Sequence, residues 1–431
     1  MQFFLIGMKY INITKFFNFN SNIGSAEKYL VNSLFVLIIF LFINPIYAIL
    51  LVTYFSVNHE YSKSISFLSL IFAFSLFFFN RKYDVNFYLD STDDVPVYID
   101  YYLKLSTLSI GDIFFNFLKS PSGNEPFWHL IWWFVNRLTN SNVSVFIFLH
   151  YLLIFYFFAK ISKSLFPKGF EILFLLILFL FPVTLYNVCH VWRQILSFEF
   201  MLYGTYLYYY KNIKIIGVIY IILSILTHVS CLYFFIIFLT YNVFFELFFK
   251  LSKKNIIIFT SIILILISLG FQILLSILGE TFVRLANYTE GASADRDGLG
   301  IKLIIYIAIT IYAFKKSKIT KFNSFLFINI LIPFFLPFIF PSLNSIYDRY
   351  FSLALTLLSV YLFIISINAL NGILYIREKI IFFLIFLLLT TSFLKLYFEF
   401  NNKIGVISFI GSSNAFNFNN GIFVSLFKLI N

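Results

Sequence analysis

Arg193 stands in NVCHVWRQILSFEF (187–200), where a polar stretch opens an apolar helix. A guanidinium never loses its charge and forks onto two oxygens of a phosphate or diphosphate. Gln194 follows directly and adds an amide beside it. His228 closes SILTHVSCLYFF (224–235), where a neutral imidazole can take a proton or orient a sugar hydroxyl. Arg349, in NSIYDRYFSLAL, starts a further apolar run with Asp348 beside it, and suits the other half of a diphosphate or a lipid phosphate. Carboxylates gather upstream: Asp93, Asp94 and Asp100, the last next to Tyr101, and Glu125 at the head of EPFWHLIWWFVNRL. Any of these can accept the proton of an attacking hydroxyl. Each has a plainer reading too. Arg193 can snorkel to an interface, His228 can bond a turn carbonyl, Arg349 can pair with Asp348, and several acids must be loop charges. His150 lies mid-span and reads as a packed polar group of the core. His59, His129 and His190 have less distinctive settings.

The elements that carry these residues are membrane spans. The 431 residues are 61% hydrophobic, 23% aromatic and 12% charged, against about 25% charged in soluble domains. Apolar runs such as 170–188 are long and unbroken, unlike the alternation of an outer-membrane barrel. The expected fold is therefore an all-α polytopic membrane protein of about 12 transmembrane helices. They fall near 30–55, 64–80, 142–160, 170–188, 195–210, 214–228, 231–249, 255–279, 300–314, 322–341, 350–371 and 380–399. One domain, 1–431, is expected. No Walker loop, GxGxxG, HExxH or GxSxG occurs, and the two cysteines, Cys189 and Cys231, lack zinc-site spacing. No metal and no cofactor is expected.

The net charge of +12 sits in short clusters between the apolar runs, which argues for the positive-inside rule rather than for nucleic acid. The clusters are Lys160/Lys163/Lys168, Lys211/Lys214, Lys250/Lys253/Lys254, Lys315/Lys316/Lys318/Lys321 and Arg377/Lys379. Placing all five in the cytoplasm satisfies span parity, although Lys9, Lys15 and Lys28 then fall outside. On the outer face this leaves a large acidic loop, 81–141, with a short interfacial aromatic helix at 127–138. HVWRQ, His228, the ADRDG loop with Arg296, Arg349 and the tail 401–431 share that face.

Taken in order, these patches resemble the EpsG family of Wzy-type polysaccharide polymerases. The resemblance rests on DDVPVYIDYY (93–102), EPFWHLIWWFVNRL (125–138), VWRQILSFEF (191–200), ILTHVSCLYFF (225–235) and DRYFSLAL (348–355). EPFW departs from the family's EPGF-like step, and RKYDV (81–85) is all that remains of its Arg-x-x-x-Gly-x-Asp lead-in, which leaves the acidic residue open among several. The resemblance implies a GT-C-like glycosyltransferase in a bacterial cytoplasmic (inner) membrane. It would polymerise undecaprenyl-diphosphate-linked oligosaccharide repeat units into O-antigen, capsule or exopolysaccharide at the outer face. Asp94, Asp100, Glu125 and His228 are then the catalytic candidates, and Arg193, Gln194 and Arg349 the diphosphate-binding ones. Membrane lipid and a chain-length regulator protein are the implied partners, with no role for nucleic acid. Two other readings stay open: a lipid-linked oligosaccharide flippase or transporter, and an O-antigen ligase-like transferase.

Overall fold

The computed structural model describes residues 95–115, 125–165, 191–250, 299–318, 320–339 and 344–368, with isolated positions between them. Among the described residues there are ten α-helices and no strand. On the loop side lie α1 (Val95–Lys104), α2 (Ile110–Phe115) and α3 (Pro126–Leu138). Then come α4 (Val143–Leu165), α5 (Trp192–Tyr209), α6 (Lys214–Thr227) and α7 (Leu232–Lys250). The last three are α8 (Leu299–Lys316), α9 (Lys321–Ile339) and α10 (Asn344–Asn368). The expected spans near 142–160, 195–210, 214–228, 231–249, 300–314, 322–341 and 350–371 each meet one of these helices. Those near 30–55, 64–80, 170–188, 255–279 and 380–399 lie outside the described residues but for isolated positions.

Helix α5 is the axis of the bundle. Every residue from Gln194 to Leu207 is buried, Glu199 among them, so the helix is enclosed on all sides by the rest of the bundle. It pairs closely with α6 through a four-residue link, Tyr210 to Ile213, in which Asn212 takes φ 57°, a left-handed turn that asparagine tolerates. The two backbones touch at Gly204 and Gly217: a Cβ on Gly204 would sit 2.7 Å from the Gly217 carbonyl oxygen. Glycine at both positions is what permits the approach.

α4 is, among the described residues, the one helix that is by itself both long and apolar enough to cross a membrane. The exposed surface of α6 and α7 carries the same message. Ile215, Ile219, Ile222 and Leu226 stand outward on α6 and Leu232, Ile236, Leu239 and Val243 on α7, all at alternating spacings of four and three residues. A continuous apolar stripe of this kind is unfavourable in water and natural against lipid.

Three of the basic clusters, represented by Lys160/Lys163, Lys211/Lys214 and Lys315/Lys316/Lys318/Lys321, gather at one end of the bundle. The Tyr206 hydroxyl donates to the carbonyl of Ser164, beside Lys163, and the Tyr206 ring packs 5.9 Å from Phe322, beside Lys321. The Tyr241 hydroxyl donates to the Lys321 carbonyl in the same region. Arg193 is at the far end of α5, roughly 25 Å away at 1.5 Å per residue. The hairpin returns α6 to that far end, so His228 comes back to Arg193.

Candidate active site

Three chain segments meet at that far end. The first is the start of α3. Pro126 occupies the first helical turn, where its missing N–H costs nothing. Glu125 just precedes it, in the N-cap position, yet makes no side-chain cap bond. Its carboxylate points across to α5 instead.

The second segment is the start of α5. A cation in the first turn of a helix opposes the helix dipole, so Arg193 needs partners elsewhere. It has two. Its Nη1 donates to Oε2 of Glu125 in an ion pair, and its guanidinium lies over the Tyr98 ring of α1, 5.0 Å from the centroid. The pair is largely withdrawn from solvent, with side-chain exposures of 14% for Arg193 and 3% for Glu125. Gln194 is buried in the same turn, and its carbonyl accepts the Ser197 hydroxyl.

The third segment is the end of α6. The helix stops at Thr227 because His228 turns extended, with φ −157° and ψ 129°, before a 3-10 turn over Val229–Cys231. The backbone N–H of Ser230 donates to His228 Nδ1 at 3.0 Å. His228 Nε2 then faces Glu125 Oε1 at 3.5 Å, and the ring is almost fully buried. Glu125 therefore stands between a guanidinium and an imidazole.

Aromatic side chains frame this trio. Tyr98 stacks on Trp192 at 5.8 Å and 27°, and Trp192 stacks on His150 at 4.2 Å and 22°. His150, Trp192, Tyr98 and Arg193 thus form a continuous stacked column drawn from α4, α5 and α1. Trp128 and Trp132 of α3 close on His150 at 5.1 Å and 5.5 Å. Tyr101 packs 4.5 Å from His129. Burial pushes its phenol up to about 12, with Arg193 pulling in the opposite direction.

The remaining sequence candidates have other surroundings. Asp100 is exposed and pairs with Lys104 one turn along α1 at 2.6 Å. Asp112 accepts the Ser109 hydroxyl and N–H at the start of α2, which lowers its carboxyl. Asp93, Asp94 and Arg296 lie outside the described residues, as does the side chain of Arg349, whose backbone is in the first turns of α10. Cys231 is a free, buried thiol hydrogen-bonded with Ser197, and Cys189 lies outside the described residues. The sequence had not singled out Tyr98 or Trp192. The tyrosines at 98, 101 and 102 repeat at helical spacing, and that signal marks one face of α1.

The trio has the means for two chemical tasks: a fixed cation for an anionic group, and a carboxylate–imidazole pair for proton transfer. A family model described as the EpsG family matches residues 85–410, which takes in every candidate from Asp93 to Arg349. No curated protein and no solved structure matches the chain.

Proposed function

Since the chain belongs to the EpsG family, a family of polysaccharide polymerase-like membrane proteins, we propose that it polymerises undecaprenyl-diphosphate-linked oligosaccharide repeat units. The setting is the outer face of a bacterial cytoplasmic membrane, in a single multi-pass domain of about 12 spans with a GT-C-like architecture. In that placement the loop 81–141 and the tail 401–431 are external. The observation that carries the reading is the buried Glu125–Arg193–His228 trio at the end of the bundle opposite the basic clusters.

The reaction joins the terminal sugar hydroxyl of one carrier-linked unit to the anomeric carbon of another. The bond from that carbon to the carrier diphosphate breaks, and the diphosphate leaves with the electron pair. Charge develops on the leaving oxygens, where a preorganised guanidinium is most effective. Arg193 is the group for it, with Gln194 beside it and Arg349 as the second cation. Glu125, with His228 against its other oxygen, takes the proton of the acceptor hydroxyl, with Asp94 and Asp100 as the other acids of the loop. The aromatic residues of α1 and α3 offer stacking faces for sugar rings. A chain-length regulator would act on the same outer face. The flippase reading fits less well, because a flippase needs its charged groups in a central cavity reachable from both sides, and this trio sits at one end.

The test is polymer length. Surface polysaccharide is resolved on a gel after deletion of the gene and restoration with wild type, Arg193→Lys or Arg193→Ala. Single repeat units on the surface after deletion, and no ladder from Arg193→Ala at normal protein levels, support the reading. Arg193→Lys keeps the charge but loses the fork and is expected to give a short, faint ladder. Repeat units trapped inside the cell would identify a flippase, and an unchanged ladder would sink both.

A further inference from the structure

The geometry points to a substrate-triggered exchange inside the trio, an idea that rests on the polymerase reading above: Glu125 is the resident anion of Arg193, the lipid-linked diphosphate takes its seat, and the displaced carboxylate is the general base. The guanidinium fork accepts a carboxylate and a phosphate by the same two-oxygen geometry. Glu125 already occupies one arm of it, Nη1 to Oε2. A diphosphate arriving at the same cation would meet a carboxylate only 3% exposed, and two anions in a poorly solvated pocket repel strongly. Arg193 cannot fully serve both.

His228 decides which group takes the proton. Its Nδ1 accepts the Ser230 N–H, so the neutral ring carries its own hydrogen on Nε2. That hydrogen faces Glu125 Oε1. Neither ring nitrogen then has a lone pair to offer the acceptor sugar. The carboxylate does, once Arg193 has turned to the diphosphate. His228 is therefore a positioning residue: its Nε2–H holds Oε1 while Oε2 is released. The step balances within the site. The acceptor oxygen bonds to the anomeric carbon, its proton moves to Glu125, and the diphosphate departs with the electron pair. Glu125 returns the proton to water as it re-pairs with Arg193. Base activity thus appears only when a diphosphate is in place, so an empty site holds no free base.

The experiment measures binding of undecaprenyl diphosphate to the purified full-length protein in nanodiscs, with inorganic diphosphate as a second probe that lacks the lipid. Glu125→Gln removes the competing charge and nearly preserves shape. It is expected to bind both probes at least about tenfold more tightly, the lower end of what close charge pairs couple by, while losing the polymer ladder. The gain should vanish when Arg193→Ala is added. Glu125→Asp, one methylene short of the guanidinium, should show a smaller gain and serves if the Gln variant folds poorly. Equal or weaker binding by a well-folded Glu125→Gln overturns the exchange even if the ladder is lost on gene deletion. Tighter binding by Glu125→Gln together with a ladder that survives gene deletion keeps the exchange and rejects the polymerase reading.

Discussion

His150 offers a sharp separation of packing from proton chemistry. It lies within an apolar span, where an ionisable residue ordinarily signals function. Its surroundings are aromatic: Trp192 stacked at 4.2 Å, Trp128 edge-on at 5.1 Å and Trp132 tilted at 5.5 Å. Neither ring nitrogen has a hydrogen-bond partner. Two substitutions therefore differ in size of effect. His150→Ala removes four ring contacts, the fourth to Tyr151 at 6.1 Å, and leaves a cavity; the total cost is roughly 3–5 kcal/mol. His150→Phe keeps the stack. It also removes two unsatisfied buried nitrogens, a gain of about 1–3 kcal/mol, against an overpacking cost of similar size. The net change should be within about 1 kcal/mol of zero. The thermal midpoint in detergent should thus fall clearly for Ala and stay near wild type for Phe. Polymer length should follow the same order, because Trp192 carries Arg193 through Tyr98. If Phe falls as far as Ala in both measurements, the nitrogens do work that packing does not describe, and the column is not what holds Arg193.

Other outcomes are expected at the edges of the site. Gly204→Val would drive a branched side chain into the Gly217 carbonyl, 2.7 Å from the Cβ position, and should cost several kcal/mol, read as lost monodisperse protein on size exclusion. Asp100→Asn breaks an exposed pair worth only about 0.3–0.5 kcal/mol and should leave both stability and ladder unchanged; a lost ladder would restore Asp100 as the base. Tyr101 has its phenol raised from 10.0 to about 12 by burial, so the neutral form is the one the fold favours. Its contribution is complete below pH 10 and is lost as pH rises towards 12. Tyr101→Phe should flatten that part of the alkaline unfolding curve, followed by intrinsic fluorescence.

The site was legible where residue type alone constrains the chemistry. Arg193 and His228 stand out because a charged or ionisable group beside an apolar run is expensive, and Glu125, one acid among several, converges with them. Asp100 looked equivalent to Glu125 as a carboxylate, yet it faces solvent one turn from Lys104. Which face of a ten-residue helix turns inward depends on what packs against it, and the local sequence is silent there. The column of His150, Trp192 and Tyr98 escaped for a related reason. Its rings come from three helices, and no spacing within one of them announces the stack. Glu125 at the head of α3 reads from sequence as one of several loop carboxylates; only the arrival of α5 turns it towards Arg193. The bundle itself was easier. Apolar runs placed helices to within a few residues, and the lysine clusters at 160–163, 211–214 and 315–321 share one end, as parity required.

The glycine crossing of α5 and α6 has a bearing on how the site tolerates change. Arg193 and His228 ride on the two arms of one hairpin at its open end, and the separation of the arms is set by backbone against backbone at Gly204 and Gly217. Side chains elsewhere in the core can drift in size without altering that gauge. Glu125 belongs to a different part, mounted on α3. Sequence variation can therefore reshape the loop and its sugar-facing surface while the distance between cation and imidazole stays as machined. Relatives with different repeat units would be expected to vary α1 and α3 freely and to keep small residues where the two arms touch.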